Sequence, residues 1–169
     1  MLKSPYTMHF ARPEDTRGWM DLVHIVKDNF PGYNEDEYLE LLERNIARQS
    51  ALCVKYNSEI VGILLFSVRN KCLSCMAVHP SHRRNGIGSA LVEKMLALFP
   101  ADTDIEVTTF RGGDPMGDAP RALYKRFGFT EGELIDGMDG YPSQRFVLRR
   151  GNLPPAGDER EPQVHASHK

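Results

Sequence analysis

The segment HPSHRRNGIGSAL, residues 79–91, lies between an apolar run and an amphipathic one. Gly86 and Gly88 tolerate a positive φ and let the backbone approach a ligand closely. A helix that starts here presents unpaired N–H groups and a partial positive charge, and Arg83 and Arg84 add charged donors beside it. The segment is therefore either a basic turn that leads into a helix or a backbone cradle for a phosphorylated ligand.

Two common phosphate motifs are excluded by counting residues. The dinucleotide fingerprint GxGxxG needs glycine at position 91, where Leu91 stands, and the Gly-Lys-Ser/Thr of a P-loop is absent. The pattern present is R-x-x-G-x-G over 83–88, preceded by CMAVHPSHR on a predicted strand. With this pattern, and with APRALYKRFGF over 119–129, the chain strongly resembles the GNAT superfamily of acyltransferases. The resemblance covers 7–149 in the order of strands and helices.

The resemblance implies one α/β domain of the GNAT fold, with a mixed, mainly antiparallel central sheet of about seven strands flanked by about four helices. The residue patterns agree, because β-rich runs between short polar turns predict an antiparallel meander. Strands are predicted in YTMHFARPED, which runs into Pro13, and in ALCVKY, IVGILLFSV, KCLSCMAV, DIEVTTF, FTEGELI and SQRFVLRR. We expect the domain to occupy 1–150, and the polar, proline-rich tail 151–169 to be disordered.

Apolar residues at helical spacing predict four helices. Asp15 or Thr16 is placed to cap the first, and Asn34 with Glu37 has capping-box spacing for the second, which runs to about residue 48. The third is predicted from position 88 until Pro100 ends it, and the fourth over 119–127.

The composition argues against several kinds of partner. Lys plus Arg total 21 against 23 Asp plus Glu, a formal net charge of −2, which favours neither nucleic acid nor an anionic membrane. The longest apolar run, 60–66, is too short to span a membrane, so we expect a soluble, cytoplasmic protein. The odd number of cysteines suits a reducing compartment. On a regular strand, Cys72 and Cys75 would point to opposite faces, which favours structural roles over a redox or metal site.

The resemblance implies acetyl-coenzyme A (acetyl-CoA) as co-substrate and no metal. The backbone of Met76, Ala77 and Val78 would pair with the pantetheine arm, because a strand splayed from its neighbour offers free N–H and C=O groups. The residues expected around the pyrophosphate are Arg83, Arg84, Asn85, Gly86, Ile87, Gly88 and Ser89. Family members often carry asparagine at the position of Gly117, where it contacts pantetheine, so the cofactor geometry there is an open question.

Transfer of an acyl group to an amine needs a neutral amine and a protonated leaving thiol. The resemblance places Tyr124 at the cofactor as the acid that protonates the departing sulfur; a core tyrosine is the other interpretation. Glu106 shares one side of its strand with Thr108 and would act as general base, directly or through water, if that side faces the cleft. An exposed strand carboxylate is the alternative. Cys75 is the candidate for a covalent nucleophile, but no residue needs that role, so we expect direct attack in a ternary complex.

The connection between the first two helices usually shapes the acceptor pocket in the superfamily. Here Phe30, Tyr33 and Tyr38 would supply apolar walls or simply belong to the core, and Glu35 and Asp36 would attract a cationic amine. Acidic residues also favour a first helical turn for purely structural reasons.

These residues indicate acetyl transfer to a primary amine of a small cationic molecule, such as a metabolite or an aminoglycoside-like antibiotic. A protein lysine or amino terminus as acceptor, and a non-catalytic coenzyme A-binding regulatory module, stay open as alternatives. A homodimer is compatible with the resemblance, although no segment specifies an interface.

Overall fold

The computed structural model describes residues 2–151, in which seven strands form one sheet with the order β1-β2-β3-β4-β5-β7-β6. The strands are β1 (Tyr6–Phe10), β2 (Ala51–Tyr56), β3 (Glu59–Ser67), β4 (Cys72–Val78), β5 (Ile105–Phe110), β6 (Thr130–Asp136) and β7 (Pro142–Leu148). Neighbouring strands are antiparallel except β4 and β5, which are parallel. The predicted mixed, mainly antiparallel α/β sheet is confirmed.

Four α-helices cover the two faces of this sheet: α1 (Thr16–Val26), α2 (Glu35–Arg48), α3 (Ile87–Leu98) and α4 (Asp118–Arg126). Residues of α3 and α4 share one core with strand residues such as Leu64, and residues of α1 and α2 share the other with Leu65. Both of these leucines are fully buried, because β3 is covered on its two faces. None of the helices within 2–151 is long and apolar enough to cross a membrane.

The helix starts follow local sequence signals in α2 but not in α1. The side chain of Asn34 accepts a hydrogen bond from the Glu37 N–H at 3.0 Å, as a cap should. Asp15 precedes α1 without capping it, because its carboxylate accepts from the Arg12 N–H and the Lys55 ammonium, each at 2.8 Å. Instead of the predicted cap, Asp15 therefore forms an ion pair with Lys55 that links the start of α1 to strand β2.

A β-bulge at Ser74 interrupts the pairing of β4 with β3, because Leu65 and Phe66 of β3 pair with Cys75 and Leu73, respectively. Leu73 packs in the α3–α4 core, whereas Cys75 packs against the α1–α2 core. Cys72 precedes Leu73 and so points to the same face as Cys75. The prediction that the two thiols face opposite sides was wrong, since the extra residue reverses the alternation.

The parallel pairing of β4 with β5 is very short. It consists of Cys72 opposite Glu106 and Leu73 opposite Val107. Beyond the bulge, the β4 edge on the β5 side runs unpaired over 74–78 among the described residues, and the two strands splay apart. Most of the tail predicted for 151–169 lies outside the described residues, so its disorder and the 1–150 boundary stay predictions.

Candidate active site

The first wall of the cleft between β4 and β5 is the unpaired edge of β4. Met76, Ala77 and Val78 pair with β3 through one edge, so the other edge is directed at the cleft. All three residues are partly buried. An extended ligand with alternating amide donors and acceptors can satisfy such an edge as an added strand. The structure places these three residues along the free edge of β4; that they bind the pantetheine arm stays a prediction.

The loop before α3 lies immediately after this edge. Arg84 (φ 67°) and Gly86 (φ 76°) are both left-handed, and Gly86 caps the start of the helix. The side-chain amide of Asn85 donates to the carbonyl oxygens of His82 at 2.9 Å and Arg83 at 3.2 Å, which closes the loop on itself. Arg83 and Arg84 are exposed. The first amides of α3 and two guanidinium groups therefore meet at one exposed corner, which suits a phosphate.

Two glycines let α3 sit close to its neighbours. A Cβ on Gly62 of β3 would lie 2.5 Å from Cγ2 of Ile87, the first residue of α3. A Cβ on Gly88 would lie 3.2 Å from Cδ2 of Leu123 on α4. Because Ile87 is fully buried, the position of the α3 amino terminus is fixed by packing as well as by the loop.

Tyr124 occupies the core between α4 and the sheet. Its ring centroid lies 5.7 Å from that of Phe129 and 6.3 Å from that of Phe146, and the residue is 5% exposed. Burial, and to a smaller extent the proximity of Cys75, raise the pKa of the phenol far above its usual value. The ring is thus a core residue, while its hydroxyl stays protonated at neutral pH and lies within electrostatic reach of β4. The acid role stays a prediction.

Glu106 lies at the closed end of the cleft, opposite Cys72. It alternates with the buried Ile105 and Val107, so it shares the other side of β5 with Thr108, as predicted. Its Oε1 lies 3.2 Å from Nε of Arg145, which also forms an ion pair with Glu133. The ion pair with this buried arginine holds the Glu106 carboxylate at the closed end of the cleft; its role as general base stays a prediction.

The connection between α1 and α2 brings four of the five predicted acceptor residues together. Phe30 and Tyr33 lie 6.0 and 5.9 Å from Tyr38, centroid to centroid. Oε1 of Glu35 accepts hydrogen bonds from Nε2 of His24 at 2.7 Å and from Tyr33 at 3.2 Å. These bonds lower the pKa of Glu35. The fifth residue, at position 36, is exposed in the first turn of α2.

Two residues make contacts at the site that sequence reasoning did not predict. The hydroxyl of Tyr38 is 3.4 Å from Sγ of Cys75 on β4, and Nη2 of Arg126 is 3.5 Å from Oγ of Ser89 in the first turn of α3. The sequence predicted Tyr38, the single aromatic residue of α2, only as an apolar wall or a core residue, and gave no signal for its contact with β4. Arg126 had none, since the packing of α4 against α3 cannot be read from the sequence.

Gly117 has a structural reason for departing from the family pattern. A Cβ at this position would lie 2.7 Å from Cβ of Phe110, the last residue of β5. Asparagine therefore does not fit at this position unless the end of β5 moves. Among the described residues, no group of three or more histidine, cysteine or acidic side chains could hold a metal ion.

Comparisons with known proteins agree with this geometry. The model of the acetyltransferase (GNAT) family matches residues 19–129. A GNAT-family acetyltransferase from Bacillus cereus has 22% sequence identity and a TM-score of 0.65, over 86% of this chain and 97% of that chain. No curated protein sequence matches the chain.

Two further solved structures share the fold. The yncA protein of Salmonella typhimurium, solved with its cofactor acetyl-CoA, is 15% identical with a TM-score of 0.65, over 88% of this chain and 95% of that chain. The ribosomal-protein-S18-alanine N-acetyltransferase from Escherichia coli is 16% identical with a TM-score of 0.65, over 89% and 97%. At these identities the likeness concerns the fold.

Proposed function

Because the chain belongs to the acetyltransferase (GNAT) family and is an N-acetyltransferase, we propose that it transfers the acetyl group of acetyl-CoA to a primary amine of a small cationic molecule. The observation that carries the proposal is the splay of β4 from β5 directly before the amino terminus of α3. It combines an unpaired strand edge with a phosphate-binding corner, which are the two features that an extended pantetheine arm and a pyrophosphate need.

The described residues fit acetyl-CoA as substrate. The β4 backbone at Met76, Ala77 and Val78 would bind the pantetheine arm. The backbone amides of 84–89 would hold the pyrophosphate, with the guanidinium groups of Arg83 and Arg84 beside it. Arg126, close to Ser89 at the same helix terminus, adds a third cation at this corner.

The reaction requires that the negative charge on the thioester carbonyl oxygen be stabilised, that the leaving sulfur gain a proton and that the amine lose one. An N–H of the free β4 edge would stabilise the oxyanion as the amine nitrogen bonds to the acetyl carbon. As the carbon–sulfur bond breaks, the Tyr124 hydroxyl would give its proton to the sulfur. Glu106 would accept the proton that the amine loses, directly or through water. The Tyr124 hydroxyl is protonated at neutral pH because burial raises its pKa, which is compatible with the acid role, and Glu106 lies at the closed end of the same cleft.

The acceptor side supports a cationic amine. Glu35 is held at the start of α2 by His24 and Tyr33, which fixes one carboxylate oxygen beside the aromatic rings. We propose that Phe30 and Tyr33 contact the carbon skeleton of the acceptor, and that Glu35 and Asp36 attract its charge. The three free cysteines suit a reducing compartment such as the cytoplasm.

The test measures thiol release from acetyl-CoA with polyamines, aminoglycosides, amino acids, lysine peptides and peptides with free amino termini. Release with one class of small cationic amine, lost in Tyr124→Phe, supports the proposal. Release confined to peptides assigns the acceptor to protein. Cofactor binding without release from any amine contradicts the proposed function.

A further inference from the structure

Tyr38 links α2, on which it lies, to α1 and to strand β4 through its hydroxyl group. Nε1 of Trp19 donates a hydrogen bond to this hydroxyl at 3.0 Å, and Sγ of Cys75 lies 3.4 Å from it. Trp19 is fully buried and Tyr38 is 9% exposed. Its ring stacks on Phe30 with an interplanar angle of 10°. Two contacts therefore hold the hydroxyl in place, and stacking holds the ring that carries it.

The Tyr38 hydroxyl has two hydrogen-bond partners, Trp19 and Cys75, and chemistry fixes the direction of the bond with Trp19. An indole N–H only donates, so the phenol oxygen of Tyr38 accepts from Trp19. The contact of this hydroxyl with Cys75 is a hydrogen bond that either the phenol or the thiol can donate. Burial raises the pKa of Tyr38 well above its usual value and that of Cys75 to about 12. Both groups are therefore neutral at physiological pH, and the contact is a hydrogen bond rather than an ion pair.

The partner residue has a special place in β4. Cys75 is the first residue after the bulge and pairs with Leu65 of β3. On the β5 side the strand has no partner from this point onward among the described residues. A strand with one free edge is held in position only by β3 and by its side chains. The contact between Tyr38 and Cys75 secures it just before 76–78.

We propose that Tyr38 is a positioning residue for acetyl transfer, which acts through Cys75 to hold the free edge of β4 where the thioester carbonyl binds. The inference rests on the proposed function of this edge. It also explains how the acceptor wall and the carbonyl-binding strand keep a fixed spacing, since the ring of Tyr38 lies against Phe30 and Tyr33 while its hydroxyl contacts β4.

The experiment compares Tyr38→Phe, Cys75→Ala, Cys75→Ser and the double variant Tyr38→Phe/Cys75→Ala, with Tyr141→Phe as a control. The control removes a phenol hydroxyl that bonds to Asp114, outside this chain of contacts. We expect Tyr38→Phe and Cys75→Ala each to lower kcat about tenfold, because a small misplacement of the reacting carbonyl is costly. Cys75→Ser should stay within about twofold of wild type, since its hydroxyl can still accept the hydrogen bond.

The kcat of the double variant should also be about tenfold below that of the wild type and no lower, because both changes remove the same contact. A multiplicative loss of about a hundredfold overturns the proposal. A change confined to the KM of the amine also overturns it, since the hydroxyl would then act on the acceptor. Inactive Cys75→Ser would make the thiol a nucleophile and equally overturn the positioning role. Melting temperatures of all variants separate these outcomes from unfolding.

A second measurement keeps the inference separate from the proposed function. Amide hydrogen exchange over 74–79 reports the order of β4 without turnover. We expect faster exchange in Tyr38→Phe and Cys75→Ala, and wild-type exchange in Cys75→Ser and Tyr141→Phe. If no amine is acetylated by the wild-type protein, the proposed function fails, while this pattern still supports the mechanical link. Unchanged exchange in all variants overturns it.

Discussion

Gly62→Ala tests the corner that we assign to the pyrophosphate. The new Cβ would lie 2.5 Å from Cγ2 of Ile87, whereas ordinary contacts are 3.4–4 Å, so the two groups must separate by about 1 Å. Ile87 is 1% exposed, so its side chain cannot turn out into solvent without losing its burial. Overpacking of this kind costs about 1–3 kcal/mol of folding free energy. For a chain of this length, each kcal/mol lowers the Tm by about 2–4 °C.

The same displacement moves the first turn of α3, and with it the amides that would hold the pyrophosphate. A hydrogen bond to a charged group contributes about 1.5–3 kcal/mol, and 1.4 kcal/mol is about tenfold in Kd. We therefore expect Gly62→Ala to raise the Kd of acetyl-CoA by about tenfold or more. Isothermal titration calorimetry measures this Kd, at a temperature well below the Tm so that the variant is folded.

Gly113→Ala is the matched control. This glycine has φ +92° and nothing within 4 Å of a new Cβ, so the change costs backbone strain without displacing α3. We expect a loss of about 1–2 kcal/mol in stability and an unchanged Kd. If Gly62→Ala lowers the Tm as calculated but leaves the Kd within twofold of wild type, the α3 amino terminus does not bind the cofactor and the assignment is refuted.

Three further predictions concern other side chains. Tyr124→Phe should lower kcat by about 10²–10⁴-fold with the Kd of acetyl-CoA unchanged, as steady-state kinetics and calorimetry will measure. Glu35→Gln should raise the KM of a cationic amine at low ionic strength but not that of a neutral one. Burial opposes ionisation of Asp15, but hydrogen bonds from Lys55 and the Arg12 amide outweigh it and lower its pKa below 3.8. The ionised Asp15 therefore stabilises the fold above the ordinary pKa of an aspartate, and this contribution is lost as the pH falls through the lowered pKa. In urea unfolding, the difference in free energy of unfolding between wild type and Asp15→Asn should shrink over that fall in pH.

Local features of the fold could be predicted from neighbouring residues. The cap of α2 depends on Asn34 and Glu37, and the turn before α3 depends on Gly86, which has the left-handed backbone that glycine tolerates. The alternation that puts Glu106 and Thr108 on one side of β5 follows from the pleat. Each of these features depends on residues within a few positions of one another, so it can be predicted from the sequence.

Long-range features could not be predicted. The bulge at Ser74 depends on how β4 matches β3, and it reverses the facing of every residue that follows. Asp15 lies 40 positions from Lys55, and Tyr38 lies 37 from Cys75. The clash that excludes a larger residue at Gly117 arises only once α4 packs on the end of β5. Tertiary contacts decide each of these.

The bulge also bears on the route of the acetyl group. By reversing the alternation, it turns Cys75 toward Tyr38 and the α1–α2 core, away from the α3–α4 core. Burial there raises the pKa of the thiol to about 12, which the Tyr38 hydrogen bond only partly opposes. The thiol is therefore neutral at pH 7, whereas the thiolate is the nucleophilic form. A thiol in that state is suited to hold a strand and unsuited to carry an acetyl group, so the geometry favours direct attack by the amine.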